Sequence, residues 1–345
     1  MSVTLDDVAK KAGVSAKTVS RAVNGEKGIS ETTRERILSL VEKMNYVPHT
    51  QAQNLASGKT HSIALHYPLF SPKLISEGLE MSFVSGIGGE AAQANYFFTL
   101  FTGELDLREL TRICRASIAD GMILMQVRVD DWRVEALRKL HFPFVMIGRC
   151  QDNQGLGFVD FDFENAVVDA YAHLVDLGHR EIGFITYPST WQQERLGPAI
   201  RAQLGFQQAV RRFSLKPICY EASLSVESGY ACANEAIKTY PDITAFVVMH
   251  NTMAVGVINA IQSLGRRIPE DYSMVGVALG RESDLILPPL TGIPWYGDQI
   301  GRQAARILIN ILADQKAIPE QILVQHEIEI RSSTSRISVS RTWQK

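Results

Sequence analysis

Residues 4 to 25, TLDDVAKKAGVSAKTVSRAVNG, constrain this chain more than any other stretch. Leu5, Val8, Ala9 and Ala12 recur at the spacing that places them on one helical face, which predicts a short amphipathic helix. Thr4 caps it, Asp7 three residues on is the acidic partner of that cap, and Gly13 breaks it. Ser15 caps a second helix from Ala16 to about Val23, with Val19, Ala22 and Val23 apolar and Asn24-Gly25 ending it. Helices this short, joined by about four residues, have the geometry of a helix-turn-helix, whose second helix enters the DNA major groove.

The outward face of that second helix carries Ala16, Lys17, Thr18, Ser20 and Arg21. Lys17 and Arg21 can donate to guanine O6 and N7, Ala16 can touch a thymine methyl, and hydroxyls and amides can hold phosphates. A charged helix face alone is ordinary solvated surface. Turn, caps and polarity together favour the duplex reading. A third helix starts at Glu31 behind Ser30, with Ile37, Leu40, Val41 and Met44 on one face. Pro48 marks a break, and Gln51 to Ala56 form a helix too short to persist alone in water. That segment is expected to order on DNA and against its copy in a dimer, with Leu55 as an apolar wedge in the minor groove.

The 345 residues suffice for a small head and a core of two lobes, and 46% hydrophobic content places the chain among globular proteins. Cys114, Cys150, Cys219 and Cys232 form no CxxC pair, and the N-terminus lacks a signal-peptide pattern, so a reducing cytoplasm is expected. No apolar run approaches the ~18 residues of a membrane-spanning helix, which excludes a membrane partner. Residues 1 to 60 hold nine Lys/Arg against six Asp/Glu, so the head leans basic while the whole chain is at −2. So mild an asymmetry gives a single head little grip at physiological salt.

After Gly58-Lys59-Thr60, apolar runs alternate with amphipathic helices: SIALHY, a helix near Ser76 to Ala94, YFFTLF, a helix near Arg108 to Ala119, then GMILM. A helix at Trp132 to Leu140, FVMIG and GFVDF continue the pattern. The rhythm restarts after Phe163 through IGFIT, PICY, AFVVM and SMVGV, each separated by a helix. Continuous apolar strands of this kind form parallel sheets covered on both faces. The predicted fold is therefore an all-α helix-turn-helix head plus an α/β core of two doubly wound parallel-sheet lobes, with a ligand cleft at the carboxyl ends of the strands. The predicted divisions are a DNA-binding domain at 1–48, a hinge helix and linker at 49–60, and a core at 61–345. Within the core, one lobe takes about 61–161 and 291–322 and the other about 162–290 and 323–345, LTGIPWYGDQIGRQAARILINIL returning to the first.

The head pattern TLxDVAxxAGVSxxTVSRxxN, the third helix ending in NYxP, and AxxLA are together similar to the LacI/GalR family of bacterial transcription regulators across residues 4 to 56. LVDLGHREIGFI, AVGVINAIQSLGRRIPEDYSMVGV and PPLTGI resemble the family's core, which is similar to periplasmic sugar-binding proteins. DGMILMQVRVDDWRV, PFVMIGRC and VDFDFENAVVDA resemble its α-glucoside and disaccharide repressors. The resemblance implies base contacts from Ala16, Lys17 and Arg21, backbone contacts from Thr4, Ser15, Thr18, Asn24 and Tyr46, and minor-groove contacts from Ala52 and Leu55. One member of the family has an aromatic where Ala16 stands, so the operator sequence is not transferable. The partners implied are double-stranded operator DNA, a small-molecule effector of carbohydrate type and a second copy of the chain. The function implied is a repressor whose operator affinity the effector changes. A corepressor-dependent regulator answering to a non-sugar metabolite is the alternative.

A sugar site needs amides, carboxylates and guanidinium groups for hydroxyls and an aromatic platform for the ring face. Arg128 follows GMILM, Arg149 follows FVMIG, and Asp160 and Asp162 lie where the chain crosses between lobes. Each alone reads as a loop charge; four at strand ends suggest a shared site. Trp295 and Tyr296 suit either sugar stacking or the core. The resemblance adds Leu69 and Phe70 after the first strand, and Asn251 where the family usually has an aspartate. His250 beside it suits plain packing as well. The family's arginine normally stands three residues before Gly205; here that residue is Ala202, and Arg201 is the candidate. VALGRESD also lacks the aspartates usual after that strand.

Two further motifs carry no chemistry. Gly86, Gly88 and Ala91 spell GxGxxA inside an amphipathic helix rather than at a strand-to-helix turn, and Gln53 stands where a phosphate loop ending in Gly58-Lys59-Thr60 needs its first glycine. With no GxSxG, HExxH or zinc-ligand spacing, neither an enzyme nor a cofactor or metal site is expected. Residues 331–345 show no sustained leucine heptads, which leaves a dimer as the expected assembly.

Overall fold

The computed structural model describes residues 3–23, 25, 28–46, 59–68, 78–314 and 316–337. The chain divides into two compact units, Met1–Thr60 and His61–Lys345. In the first unit, α1 (Leu5–Ala12), α2 (Ala16–Val23) and α3 (Glu31–Lys43) enclose a small core of Val8, Ala9, Ala12, Val19, Ala22, Ile37 and Tyr46. Helices of eight residues do not hold alone in water, and here each buries its apolar stripe against the other two.

The second unit carries two parallel sheets. Its first half runs β1 (Ser62–His66), α4 (Gly78–Gln93), β2 (Phe97–Phe101), α5 (Leu107–Arg115), β3 (Gly121–Leu124), α6 (Trp132–Lys139), β4 (Phe144–Ile147) and β5 (Gly157–Phe161). Its second half runs α7 (Phe163–Asp176), β6 (Ile182–Thr186), α8 (Ser189–Gln193), α9 (Gly197–Phe213), β7 (Ile218–Glu221), α10 (Val226–Thr239), β8 (Ala245–Val248), α11 (Asn251–Ser263) and β9 (Ser273–Leu279). β10 (Thr291–Pro294), α12 (Gly297–Ala313) and β11 (Gln321–Val324) complete it. The sheet orders are β11-β5-β4-β3-β1-β2 and β10-β9-β8-β6-β7, with every neighbouring pair parallel.

Two expectations from the sequence are corrected. β10 pairs with β9, Thr291 opposite Val275, so the chain leaves the second lobe only at Trp295 and Tyr296 rather than at 291. β11 pairs with β5, and the tail rejoins the second lobe at Glu329, whose backbone exchanges hydrogen bonds with Gly292. Ser333 then ties the tail down, accepting from the Thr291 amide at 2.8 Å and donating to the Met274 carbonyl at 2.6 Å. Burial on both faces also fails at β2. It is an edge strand, and Phe97 and Leu100 are 63% and 40% exposed.

α10 and α11 cross with their backbones in contact. A Cβ on Gly256 would lie 2.2 Å from the Val226 carbonyl oxygen, and one on Gly229 would lie 2.4 Å from that of Met253. Only glycine allows that approach.

Candidate functional site

In the head, Thr4 and Asp7 form a reciprocal cap: the Asp7 amide donates to Thr4 Oγ1 at 3.3 Å and the Thr4 amide to Asp7 Oδ2 at 3.0 Å. The Thr4 hydroxyl also donates to Asp7 Oδ2 at 2.7 Å, and it and the Thr4 amide hold the Asp7 carboxyl below its usual range. Gly13 takes the left-handed conformation that ends α1 and turns the chain. The Thr18 amide donates to Ser15 Oγ at 3.2 Å, which starts α2. Val19 and Ala22 face inward, leaving Lys17 and Arg21, four residues apart, exposed on one face. Ala16, Thr18 and Ser20 are half-buried on the flanks. Tyr46, expected at a phosphate, is 8% exposed and packs in the head core. Its ring closes the apolar space beyond α3, and burial raises its phenol pKa. Asn24, Ala52 and Leu55, with most of the predicted 49–60 hinge, lie outside the described residues.

In the core, β1 lies between β2 and β3, and β6 between β7 and β8, so each sheet reverses its winding there. The carboxyl ends of strands at such a reversal leave a crevice. Tyr67 after β1, Met125 and Gln126 after β3, Tyr187 after β6 and His250 after β8 together line one cavity of about 50 Å³. Trp295 at the lobe crossing, Trp191 on α8, Phe83, Pro198 and Leu224 close it. Tyr187 and Trp191 stack at 5.0 Å, and Trp295 stacks on Phe161 at 5.9 Å with its edge toward Phe163. Trp295 Nε1 and Gln126 Oε1 are buried with no hydrogen-bond partner among the described residues. His250 Nδ1 accepts from the Thr252 amide and caps α11, and burial lowers the ring pKa to about 4.

A latch of hydrogen bonds and ion pairs joins the two lobes near the cavity. The Val129 amide donates to the Arg195 carbonyl at 2.8 Å and the Gly197 amide to the Val127 carbonyl at 3.0 Å. Arg128 pairs with Glu194 at 2.7 Å and Arg195 with Asp130 at 2.8 Å. Each bond joins one lobe to the other, close in sequence to Gln126 on one wall and Trp191 on the opposite one.

The charges expected from the sequence at a ligand are engaged within the protein. Arg128 belongs to the latch. Asp160, 4% exposed, lies 3.2 Å from Arg149 and 3.7 Å from Arg201. Burial pushes its carboxyl pKa up against the pull of both arginines. Arg201 also reaches across the lobes to the Arg149 carbonyl at 2.6 Å. Asp162 caps α7 by accepting from the Asn165 amide, and Asn251 opens α11 beside the cavity residue His250. Of the effector candidates, Trp295 lines this cavity, and Tyr296 lines a neighbouring polar cleft with Ser283 and Arg331. Leu69 and Phe70 lie outside the described residues. Of the cavity residues not singled out from the sequence, Tyr67 ends the predicted run SIALHY, and Gln126 and Tyr187 each follow directly on a predicted apolar strand, which was the signal available for them.

Residues 4–49 match the family described as bacterial regulatory proteins, lacI family, and residues 171–334 match the periplasmic binding protein-like domain. Catabolite control protein A of Priestia megaterium is 30% identical over 97% of this chain and 100% of its own length. This chain belongs to the LacI family. It is accordingly a DNA-binding transcription regulator rather than an enzyme. Among solved structures similar to this LacI-family chain, the Lac repressor dimer bound to operator and the anti-inducer ONPF has a TM-score of 0.82 at 25% identity, covering 97% of this chain and 100% of that one. The CelR–cellobiose complex has a TM-score of 0.71 at 25% identity, covering 96% and 99%. No helix among the described residues of this LacI-family regulator is long and apolar enough to cross a membrane.

The buried histidines of the LacI-family core make its stability depend on pH. His66 and His250 are 2% and 4% exposed, and burial lowers each pKa from 6.5 to about 4. The unfolded chain therefore binds more protons between these values. Stability is complete above pH 6.5 and falls as pH drops toward 4, by about 3 kcal/mol for each histidine. Core melting temperature is expected to be flat above pH 6.5 and to fall below it. His250→Asn keeps a good helix cap and is expected to reduce the fall. An unchanged profile in that variant contradicts the assignment.

Proposed function

We propose that this LacI-family regulator works as a cytoplasmic homodimeric repressor, whose two heads grip a near-palindromic operator and whose core cavity binds a carbohydrate effector. Within each head, Lys17 and Arg21 read bases, while Thr4, Ser15, Thr18, Ser20 and Asn24 hold the backbone and Ala16 touches a base methyl. The segment at 49–60, with Ala52 and Leu55, is the hinge that enters the minor groove. The observation that carries the effector reading is an aromatic cavity at the winding reversal of both sheets, with an orphan donor on Trp295 and an orphan acceptor on Gln126. Aromatic faces stack on the apolar face of a sugar ring, and hydroxyls satisfy both orphan groups. The exposed Phe97 and Leu100 on edge strand β2, with Leu285 and Leu287 at 84% and 75% exposed, supply apolar surface for pairing.

The cavity's size connects binding to regulation. An apolar cavity of roughly 150 Å³ holds one benzene ring, so a pyranose enters a space of about 50 Å³ only if its walls separate. Those walls are held by the latch, so the ligand favours a different angle between lobes, and the heads feel that angle through the hinge. A coupling of ~1–3 kcal/mol is typical of such systems. The Lac repressor complex with operator and the CelR complex with cellobiose, both similar to this chain, support the pairing of DNA and sugar. Titrating the protein–operator complex with uncharged disaccharides tests the reading. Release of DNA is expected.

A further inference from the structure

Arg133, on α6, is 1% exposed and is not itself part of the cavity wall. One Nη2 hydrogen is shared between the carbonyls of Met125 at 3.1 Å and Gln126 at 3.0 Å. The same guanidinium grips Asp131 twice, Nε to Oδ1 at 3.0 Å and Nη2 to Oδ2 at 2.6 Å. Its Nη1 lies 3.0 Å from His66 Nδ1. Guanidinium has only donors, so Nδ1 accepts, and the ring proton sits on Nε2, which donates to the Gly103 carbonyl at 3.1 Å.

A buried ion pair such as Asp131–Arg133 adds little to stability compared with apolar residues of the same volume, because desolvation offsets the attraction. Stability therefore does not explain the arrangement. What the guanidinium holds does. The Met125 and Gln126 carbonyls belong to the two peptide planes that flank Gln126, and clamping both fixes φ and ψ of that residue. Gln126 stands at φ +53°, a left-handed conformation that a non-glycine residue adopts only when its surroundings hold it there. Held there, it lines the cavity with Oε1 buried and unpartnered. Trp295 Nε1 is a second orphan in the same cavity, a donor where Gln126 offers an acceptor. A hydroxyl-bearing ring answers both. Among the described lining residues only His250 is a nitrogen base, and burial keeps it neutral near pH 7, so no ionised group meets the ligand.

We propose that Arg133 is a positioning residue for effector recognition: it locks Gln126 so that Oε1 accepts a hydrogen bond from a hydroxyl of an uncharged, polyhydroxylated ring ligand. The inference rests on the reading of this cavity as the effector site.

The test is calorimetric titration of the full-length protein with cellobiose, maltose, sucrose and trehalose, with glucose 6-phosphate as the anionic comparison. Gln126→Leu and Arg133→Lys are each expected to weaken binding of the preferred uncharged sugar about tenfold, the loss of one neutral hydrogen bond. The double variant is expected to bind no more weakly than the weaker single one, because Arg133 acts through Gln126. Where Arg133→Lys does not fold, Asp131→Asn with Arg133→Met leaves no buried charge unpaired and replaces it in the same comparison. Wild-type affinity in the Arg133 variants overturns the proposal, as do effects that multiply with those of Gln126→Leu, since they belong to an independent structural role. Wild-type protein that binds only the phosphate overturns the uncharged ligand class. Wild-type protein that binds none of the probes overturns the effector reading itself, and the inference with it.

Discussion

Replacing Lys17 and Arg21 together by alanine is expected to lower affinity for the operator, relative to scrambled duplex, by at least about 30-fold, since each guanine contact contributes roughly 1–3 kcal/mol of discrimination. Both side chains are exposed on the outward face of α2, while Val19 and Ala22 carry its packing, so the head's melting temperature is expected to stay put. The salt dependence of binding tells the two roles of a basic residue apart. A residue that only touches phosphate weakens all sequences alike and flattens the salt slope by about one unit, whereas a base reader narrows the gap between operator and scrambled DNA. Competition binding at two salt concentrations reads both quantities. A variant that keeps the wild-type preference for operator removes α2 from the role of reader.

The largest effect on stability is expected from Gly256→Ala. The added Cβ would stand 2.2 Å from the Val226 carbonyl oxygen and 2.6 Å from the Tyr230 amide nitrogen, so α10 and α11 must separate. Overpacking of side chains costs about 1–3 kcal/mol, and this clash is with rigid backbone, which places it at or above about 3 kcal/mol. Ala233 and Ala236 on α10 and Val257 and Ala260 on α11 are all at 0% exposure, so neither helix has slack to move. For a core of this size, about 3 kcal/mol lowers the melting temperature by roughly 6–12 °C. Gly103→Ala is the control, since nothing lies within 4 Å of a Cβ there. Equal melting of Gly256→Ala and wild type contradicts the backbone-to-backbone crossing.

The parts of the molecule legible in the sequence are those fixed by neighbours along the chain. Thr4 with Asp7, Gly13, and Ser15 with Thr18 act over three or four residues, so the head's caps and turn were readable from spacing. The apolar strands were readable for the same reason. What the sequence hid depends on distant partners. Arg128 follows β3 and Asp160 lies at the end of β5, while Arg201 lies on α9, yet Arg128 is taken up by Glu194 and Arg201 by Asp160 and the Arg149 carbonyl. Charges that find each other across the lobes leave the lining of this cavity neutral and aromatic, which charge at strand ends could not reveal. Tyr46 shows the same limit, because the polar end of a tyrosine does not reveal from sequence that its ring closes a core. At the lobe crossing, Thr291–Pro294 reads equally well as a strand of either sheet. The open edge of β9 decided it.

Coupling between the core cavity and the DNA-binding heads is seen most directly in the operator complex met by its ligand. A fluorescently labelled operator duplex, saturated with full-length protein and titrated with uncharged disaccharides, is expected to be released by one of them. The apparent operator affinity should fall about 5- to 150-fold, the range of a typical allosteric coupling, while binding to scrambled DNA changes far less. Operator affinity that no sugar alters, or that equals the affinity for scrambled duplex from the start, contradicts it.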